Sequence, residues 1–482
     1  MLESPGLLTD LYQLTMAFGY YRTGRANRES VFHLFFRRSP FGSTYAIAAG
    51  LQSAIDYLQA YEFSEHDIDY LAGLPGNDSK PIFDLDFLHY LRDLKLTVDV
   101  DAIPEGTVVF EHQPLLRIRG PILQCQLLET ALLNIINFQT LIATKASRLA
   151  RVAKGDPVLE FGLRRAQGPD GAMSASRAAY IGGCAATSNV LAGKRYGIPI
   201  RGTHAHSWVM SFDSELEAFE AYASVMPNNC VFLVDTYDTL EGVRNAIEVA
   251  KQITSKGYRM VGIRLDSGDL AQLSIAAREL LDRAGLEDAA IVASNDLDER
   301  LIESLKNQGA CISLWGVGTK LASAYDQAAL GGVYKLGAIQ DDKGTWQHRI
   351  KLSEQMIKTS TPGIQQVRRF YDAHGQSMCD MIFDEILTPC GSNVLVPFGQ
   401  YSKPRILSDK TTYEDLLVPI FRHGNVVYES PSIHQMRQRT QTQLKQFQGA
   451  MLRMDNPQPY PCGLELALHD LKMELIQKDR NR

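Results

Sequence analysis

Val231-Phe-Leu-Val-Asp-Thr-Tyr-Asp238 decides the fold of this 482-residue chain. Its four leading apolar residues make a run too short for a helix and ending in polar residues, which reads as a buried strand. Leu240, Val243, Ile247 and Ala250 then follow at the spacing of an amphipathic helix. The unit repeats: Met260-Val-Gly-Ile263, Ala290-Ile-Val-Ala293 and Ile312-Ser-Leu-Trp315 begin at successive steps of 29, 30 and 22 residues. Between them, Leu270, Leu273, Ala277 and Leu280 mark one helix closed by Gly285, and Leu301, Ile302 and Leu305 another closed by Gly309. Upstream, Val158-Leu-Glu-Phe161 and Ile198-Pro-Ile200 read as strands, and Leu216, Phe219, Ala223 and Met226 as a helix stopped by Pro227. Right-handed crossovers curl such a run into a parallel barrel or a doubly wound sheet.

The strand endings place the chemistry. They are Phe161-Gly-Leu-Arg-Arg165, Gly202-Thr-His-Ala-His-Ser207, Asp235-Thr-Tyr-Asp238, Arg264-Leu-Asp-Ser-Gly-Asp269, Ser294-Asn-Asp296 and Gly316-Val-Gly-Thr319. In parallel folds all carboxyl ends open on one face, so six polar endings define one candidate site. Asp269 and Asp296 have a plainer reading as helix caps. Arg164, Arg165 and Arg264 are forks suited to carboxylate or phosphate. Gly316 to Thr319 can turn backbone N–H groups toward a phosphate. Asp235, Asp266 and Asp269 suit sugar hydroxyls, a magnesium-bound polyphosphate or a histidine. The face fits an anionic, phosphorylated sugar; spacing alone does not choose between His204 and His206.

The N-terminal part has another texture. Residues 8–22 form an expected helix capped by Thr9 or Asp10, with Leu11, Leu14, Ala17 and Phe18 on its apolar face. Val31-Phe-His-Leu-Phe-Phe36 is a strand running into an Arg37-Arg38 turn, and segments at 104–110 and 114–120 resemble an antiparallel meander. A long helix from Leu127 to Ala153 follows, which makes this part an α+β domain. Near the other end, Arg437, Arg439 and Lys445 lie on an expected helix whose charges fit a packed, solvated surface better than a nucleic-acid face.

Totals exclude several classes. Forty-nine Lys and Arg against 55 Asp and Glu give a net charge of −6, no field for nucleic acid. The 7 cysteines, at 125, 184, 230, 311, 379, 390 and 462, form no CxxC pair and point to reduced thiols. No run approaches the roughly 20 apolar residues of a membrane span, and the acidic start lacks a signal-peptide pattern. The expectation is a cytoplasmic protein without membrane partners.

Taken together, the motifs from Phe161-Gly-Leu-Arg-Arg-Ala-Gln-Gly-Pro-Asp-Gly171 to Gly316-Val-Gly-Thr319 resemble nicotinate phosphoribosyltransferases. The opening Leu7-Leu-Thr-Asp-Leu-Tyr-Gln-Leu-Thr-Met16, the helical Leu141-Ile-Ala-Thr-Lys145 and the closing Asp455-Asn-Pro-Gln-Pro-Tyr-Pro461 extend the likeness over nearly the whole chain. The resemblance implies an α/β fold of the type II phosphoribosyltransferase kind, an irregular (β/α) barrel packed with an α+β sandwich domain. The barrel is expected over 151–345, the sandwich over 1–150 with part of 345–430, and a return segment with a helical C-terminal region over 346–482. It implies transfer of the ribosyl group of phosphoribosyl pyrophosphate to nicotinate, coupled to ATP hydrolysis through a phosphohistidine at His206, with Mg²⁺ carried by pyrophosphate or ATP. His204 becomes a spectator or a group that supports the site from behind.

The same resemblance has Tyr12, from the other subunit of a homodimer, and Phe161 sandwiching the pyridine ring, with Asp10 alongside. Arg164, Gly202, Thr203, Ser207 and Arg264 come near the nicotinate or the nucleotide phosphate. Asp235 orients His206, Asp266 holds ribose hydroxyls, Ser294 is a further substrate-binding residue, and Gly316, Gly318 and Thr319 cradle the 5-phosphate. Lys351, Lys358, Arg368 and the Arg37-Arg38 pair are the candidates for the leaving pyrophosphate. The related nicotinamide enzyme carries an aspartate where this chain has Ala185-Ala-Thr-Ser188, which leaves a carboxylate substrate unrepelled. The alternatives are a nicotinamide or quinolinate enzyme of the same fold, a phosphate-binding barrel lyase or isomerase, and a metabolite sensor without turnover. No strand ending carries the Schiff-base lysine that a lyase would need, although Lys320 follows the last.

Overall fold

The structure, a computed structural model, describes residues 4–355, 358–388, 391–398, 403–408 and 411–480. Cys390 lies outside the described residues; the other six cysteines are free thiols. The chain divides into two compact units: Met1–Leu141 with Ala329–Ser432 and Gln438–Arg482, and Ile142–Ala328 with Ile433–Arg437. Among the described residues no helix is long and apolar enough to cross a membrane.

The second unit carries the six-stranded sheet that the repeat predicts. Its order is Ala186–Thr187, Val158–Glu160, Leu314–Val317, Ala290–Ala293, Gly262–Leu265 and Val231–Leu233, an open sheet parallel at every pairing. Helices Thr239–Thr254, Leu270–Arg283 and Glu299–Asn307 follow the last three strands to appear before Leu314. Each starts on an aspartate placed for the purpose. Asp238 accepts from Glu241 N–H at 2.9 Å, Asp269 from Ala271 and Gln272 N–H at 3.1 Å, and Asp298 from Leu301 N–H at 2.8 Å. Asp269 is therefore a cap, whereas Asp296 is not; the neighbouring Asp298 takes that place. Gly285 and Gly309 end their helices with φ of 75° and 78°, as expected.

Three strand expectations need correction. Ile198-Pro-Ile200 is not a strand: Ile200 makes a single parallel bridge to Thr187, and the outer strand is Ala186–Thr187. Pro199 offers a carbonyl but no N–H, so pairing cannot propagate through it. The strands expected at 260–263 and 312–315 lie two residues later, at Gly262–Leu265 and Leu314–Val317. Neighbours set that register, with Leu233 and Val292 both opposite Arg264, and Val158 opposite Trp315. Arg264 and Gly316 are consequently strand residues, held more rigidly than loop residues.

The first unit is built from other sheets. One runs Trp346–His348, Gly332–Gln340, Glu29–Phe36, Leu116–Pro121, Asp99–Ala102, Val418–Arg422 and Asn425–Val426, antiparallel throughout. The expected meander is absent: Val108–Val109 pairs with Ala46–Ile47, while Leu116–Pro121 lies between Glu29–Phe36 and Asp99–Ala102. Buried Arg117 meets Asp101 directly across that ladder at 3.0 Å, which fixes the choice. The tail is richer in strands than expected: a mixed sheet runs Arg405–Ile406, Val394–Pro397, Cys462–Glu465, Ser377–Asp384, Gln365–Tyr371 and Thr412–Asp415. Helices Ile433–Lys445 and Leu466–Arg480 accompany it. The basic residues of the first of these are packed, with Arg437 donating to Cys184 O at 2.9 Å and Arg439 to Glu105 O at 3.0 Å.

Candidate active site

The strand ends of the second unit enclose a cavity of about 320 Å³ lined by Phe161, Leu163, Arg164, Ser188, residues 202–206, Arg264 and Asp266. Three of the six endings, at 161–165, 202–207 and 264–269, thus meet in one place. Of the remaining expected residues, Ser294 holds Asp266 through a hydroxyl hydrogen bond to its Oδ1. Ser207 is exposed in the turn after His206 and does not line the cavity.

Gly316 and Gly318 act from behind. A Cβ on Gly316 would fall 2.8 Å from the Phe161 ring, and one on Gly318 would fall 3.1 Å from Phe161 O. These glycines let the strand ending Val317 press against the aromatic wall of the cavity. Thr319 begins a single helical turn beside them. Asn295 and Asp296, after the strand Ala290–Ala293, hold φ of 89° and 42°, a conformation that costs free energy and clusters at functional loops.

The two histidines separate cleanly. His204 is buried; its Nε2 accepts from Leu233 N–H at 3.2 Å, and Tyr222, Phe219 and Phe232 pack round the ring. Burial, with Arg264 and His206 nearby, lowers its pKa to about 4. Its ring is thus committed to an edge N–H and kept neutral. His206 is 40% exposed and opens the turn His206–Val209. Its Nδ1 lies 3.1 Å from Thr236 Oγ1 and its Nε2 3.8 Å from Asp266 Oδ2.

That arrangement corrects one expected role. Asp266, not Asp235, is the carboxylate beside His206. Asp235 Oδ2 instead accepts from Asp266 N–H at 2.9 Å and Ser267 Oγ at 2.6 Å, fixing the next loop. Its Oδ1 and Arg264 Nε are buried without a hydrogen-bond partner. Arg264 also donates to Thr203 Oγ1. Burial lowers its pKa, and nearby Arg164 acts in the same direction against Asp266 and Asp235. Arg164 and Arg264 thus bring two guanidinium groups to one cavity, a chemistry suited to an anion.

Sequence reasoning passed over three residues here. Thr236, which holds His206, stands inside a motif read only for its acids. Ser188 lines the cavity from the short strand that was missed. Glu160 is a carboxylate inside an apolar strand, a visible signal left unused. In the first unit, Asp10 precedes the helix Leu11–Arg22, but its side chain accepts from Thr130 Oγ1 at 2.7 Å instead of capping. Tyr12 is 47% exposed, and burial together with Glu129 and Asp10 raises its pKa. Arg368 is committed elsewhere: its Nε and Nη2 donate to Asp415 at 2.7 and 2.9 Å, and it stacks on Tyr413. Arg37 and Lys351 both lower the pKa of Lys335, a lysine without any sequence signal, after the larger effect of burial.

Residues 7–137, 157–372 and 364–472 match the N-terminal domain, the family region and the C-terminal domain of nicotinate phosphoribosyltransferase (NAPRTase). A nicotinate phosphoribosyltransferase of Bacillus subtilis (strain 168) is 44% identical over 485 residues, spanning 100% of this chain and 97% of that protein. The chain belongs to the nicotinate phosphoribosyltransferase family. A Homo sapiens member is 35% identical over 524 residues, covering 96% of this chain and 95% of its own length. The crystal structure of human nicotinic acid phosphoribosyltransferase superposes with a TM-score of 0.85 at 34% identity, covering 97% of this chain and 100% of that one. A nicotinate-nucleotide pyrophosphorylase from Pyrococcus furiosus, 22% identical, shares the fold with a TM-score of 0.68 over 92% of this chain and 95% of its own. The architecture is accordingly that of a type II phosphoribosyltransferase. Among the described residues no three His, Cys, Asp or Glu side chains converge as a metal cage.

Proposed function

We propose that this protein joins nicotinate to ribose C1 of phosphoribosyl pyrophosphate, giving nicotinate mononucleotide and pyrophosphate in NAD salvage. The observation that carries the reading is the pairing of Arg164 with the incompletely bonded Arg264 in a cavity that also holds Phe161. An aromatic wall and two guanidinium forks suit a flat pyridine ring with a carboxylate or phosphate attached. The pyridine nitrogen attacks with its own lone pair, so the N–C1 bond forms as the C1–O bond to pyrophosphate breaks and no proton must move. The protein's part is alignment and charge stabilisation. Asp266, fixed by Ser294 and by the Asp235-held loop, is placed for the ribose hydroxyls; the glycine ending at 316–319 receives the 5-phosphate.

ATP is the further substrate in this reading. His206, half-exposed and steadied by Thr236, takes the γ-phosphoryl of ATP as ADP leaves, and water later releases phosphate from the ring. Mg²⁺ accompanies the polyphosphates as part of the substrate. The exposed Leu11, Tyr12 and Met16, at 52%, 47% and 42%, support a homodimer in which Tyr12 covers the partner's base. The free thiols among the described residues support a cytoplasmic setting in this reading.

The test is an assay with nicotinate, nicotinamide and quinolinate in turn, with products read by mass. Nicotinate mononucleotide from nicotinate alone is the expected result; preference for either other base overturns it. His206→Ala should abolish ATP hydrolysis coupled to product while leaving slow ATP-independent transfer. Continued ATP hydrolysis in step with product would remove His206 from that role.

A further inference from the structure

Glu160 ends the strand Val158–Glu160, and only 1% of it is exposed. Its Oε2 accepts from Ser176 Oγ at 2.8 Å and Thr187 Oγ1 at 2.6 Å, and its Oε1 accepts from Gly162 N–H. All three donors to this buried carboxylate are neutral. Removing a carboxylate from water is costly, and neutral donors repay it only when each is aimed well. Such a group is a poor choice for packing and a good one for fixing backbone direction.

Its surroundings show which backbone. Between Glu160 and Gly162 stands Phe161, the aromatic wall, and Arg164 follows one turn later. Thr187 Oγ1 also accepts from Asn189 N–H at 3.0 Å, while Ser188 N–H donates to Glu160 O at 3.0 Å. Asn189 Nδ2 donates to Ser176 Oγ at 3.2 Å, closing the network. One carboxylate therefore ties together the strand end carrying Phe161, the helix Gly168–Gly182 and the strand end carrying Ser188. The phosphate-side ending lies directly behind: a Cβ on Gly162 would sit 2.9 Å from Glu160 Oε1 and 3.0 Å from Gly318 O.

We propose that Glu160 is a positioning residue for the base: through Gly162, Ser176 and Thr187 it sets the turn that presents Phe161 and Arg164 to the pyridine ring. The role rests on the reading of the cavity as the nicotinate site. It touches no substrate itself. Its removal therefore loosens the base half of the site before the ribose-phosphate half, which is held by the other strand ends.

The experiment compares Glu160→Ala, Glu160→Gln and Thr187→Val in the full-length protein. A glutamine can keep its carbonyl on Gly162 N–H while its amide donates to hydroxyls that have turned round. The expected result for Glu160→Ala is a KM for nicotinate raised at least tenfold, with KM for phosphoribosyl pyrophosphate changed less than twofold. Thr187→Val should raise the nicotinate KM severalfold, and Glu160→Gln should restore it to within about threefold of the parent. Equal changes in both KM values, or no rescue by glutamine, overturn the proposal. If Glu160→Ala does not fold, Thr187→Val against Glu160→Gln decides by the same split. Amide exchange over residues 158–166 gives a second readout. It should quicken in Thr187→Val and not in Glu160→Gln, and unchanged exchange in both also overturns the proposal. A parent protein inactive on nicotinate defeats the functional reading, whereas the exchange result still tests the tie itself.

Discussion

The two units differ in how completely they bond buried charge. Both hold closed groups, such as Lys145–Glu299 at 2.6 Å in the second, but among the described residues only the second leaves charged side chains with unbonded buried atoms. In the first, Arg369 and Asp380, both fully buried, meet at 2.7 and 2.9 Å, and Tyr460 and Gln113 complete the carboxylate's hydrogen bonds. Arg117 is likewise closed by Asp101 and Glu385. In the second, Asp235 Oδ1, Glu215 Oε1 and Arg264 Nε are buried with nothing bonded to them. Among the described residues, the unbonded buried atoms of the first unit belong instead to groups that are neutral at pH 7, such as Tyr61, Ser377 and His33. A scaffold spends its charges internally, whereas a binding face holds some of them open for what arrives.

The contrast can be broken by substitution. Arg264→Ala should lower kcat/KM by about 10²–10³-fold, the usual loss of one charge-stabilising donor, with the melting temperature hardly moved. A matched loss of stability would show that Arg264 serves the scaffold. Arg369→Ala should do the reverse, costing about 3–5 kcal/mol in denaturant unfolding because Asp380 stays buried without its cation. Full stability in that variant would erase the distinction between the units.

Two pH measurements sharpen it further. Burial lowers His33 to about 3 and both His112 and His204 to about 4. As pH falls below the ordinary histidine value of about 6.5, the unfolded chain takes up these protons first, so stability should drop between about 6.5 and 4. A flat unfolding free energy over that window would contradict the neutral, buried assignment. Glu215 runs the other way. Burial raises its pKa, Asn245 opposes the rise, and Asp235 and Asp238 add to it. Its stabilising share is therefore present at low pH and lost as pH climbs through the raised value. Glu215→Gln should be more stable than the parent above that value, by up to about 1 kcal/mol, with the advantage vanishing in acid.

Much of the second unit was legible because a buried parallel strand and its helix leave separate periods in the sequence, and caps such as Asp238 and Asp269 punctuate them. Ala186–Thr187 was not legible. Two residues have no period, and their place depends on the neighbouring strand at Val158–Glu160. Register was equally hidden: the apolar run beginning at Met260 shows that a strand exists, but its partners choose where pairing starts. In the site, spacing found the strand ends and the family motif selected His206. Neither could reveal that Asp266 faces it while Asp235 holds a loop, since two aspartates at successive strand ends look alike until their side chains are placed. The antiparallel unit was harder, because its partners lie hundreds of residues apart, as with Glu29–Phe36 and Gly332–Gln340.

The width of the aromatic slot is governed by an atom that is missing. Because residue 316 has no side chain, the Phe161 ring rests against bare backbone. Enlarging residue 316 would push that ring from the rear, without any new group entering the cavity. The tolerance of the slot for thicker or substituted heterocycles can therefore be adjusted from a position behind the ring. A search for altered base preference confined to cavity-lining side chains would overlook it.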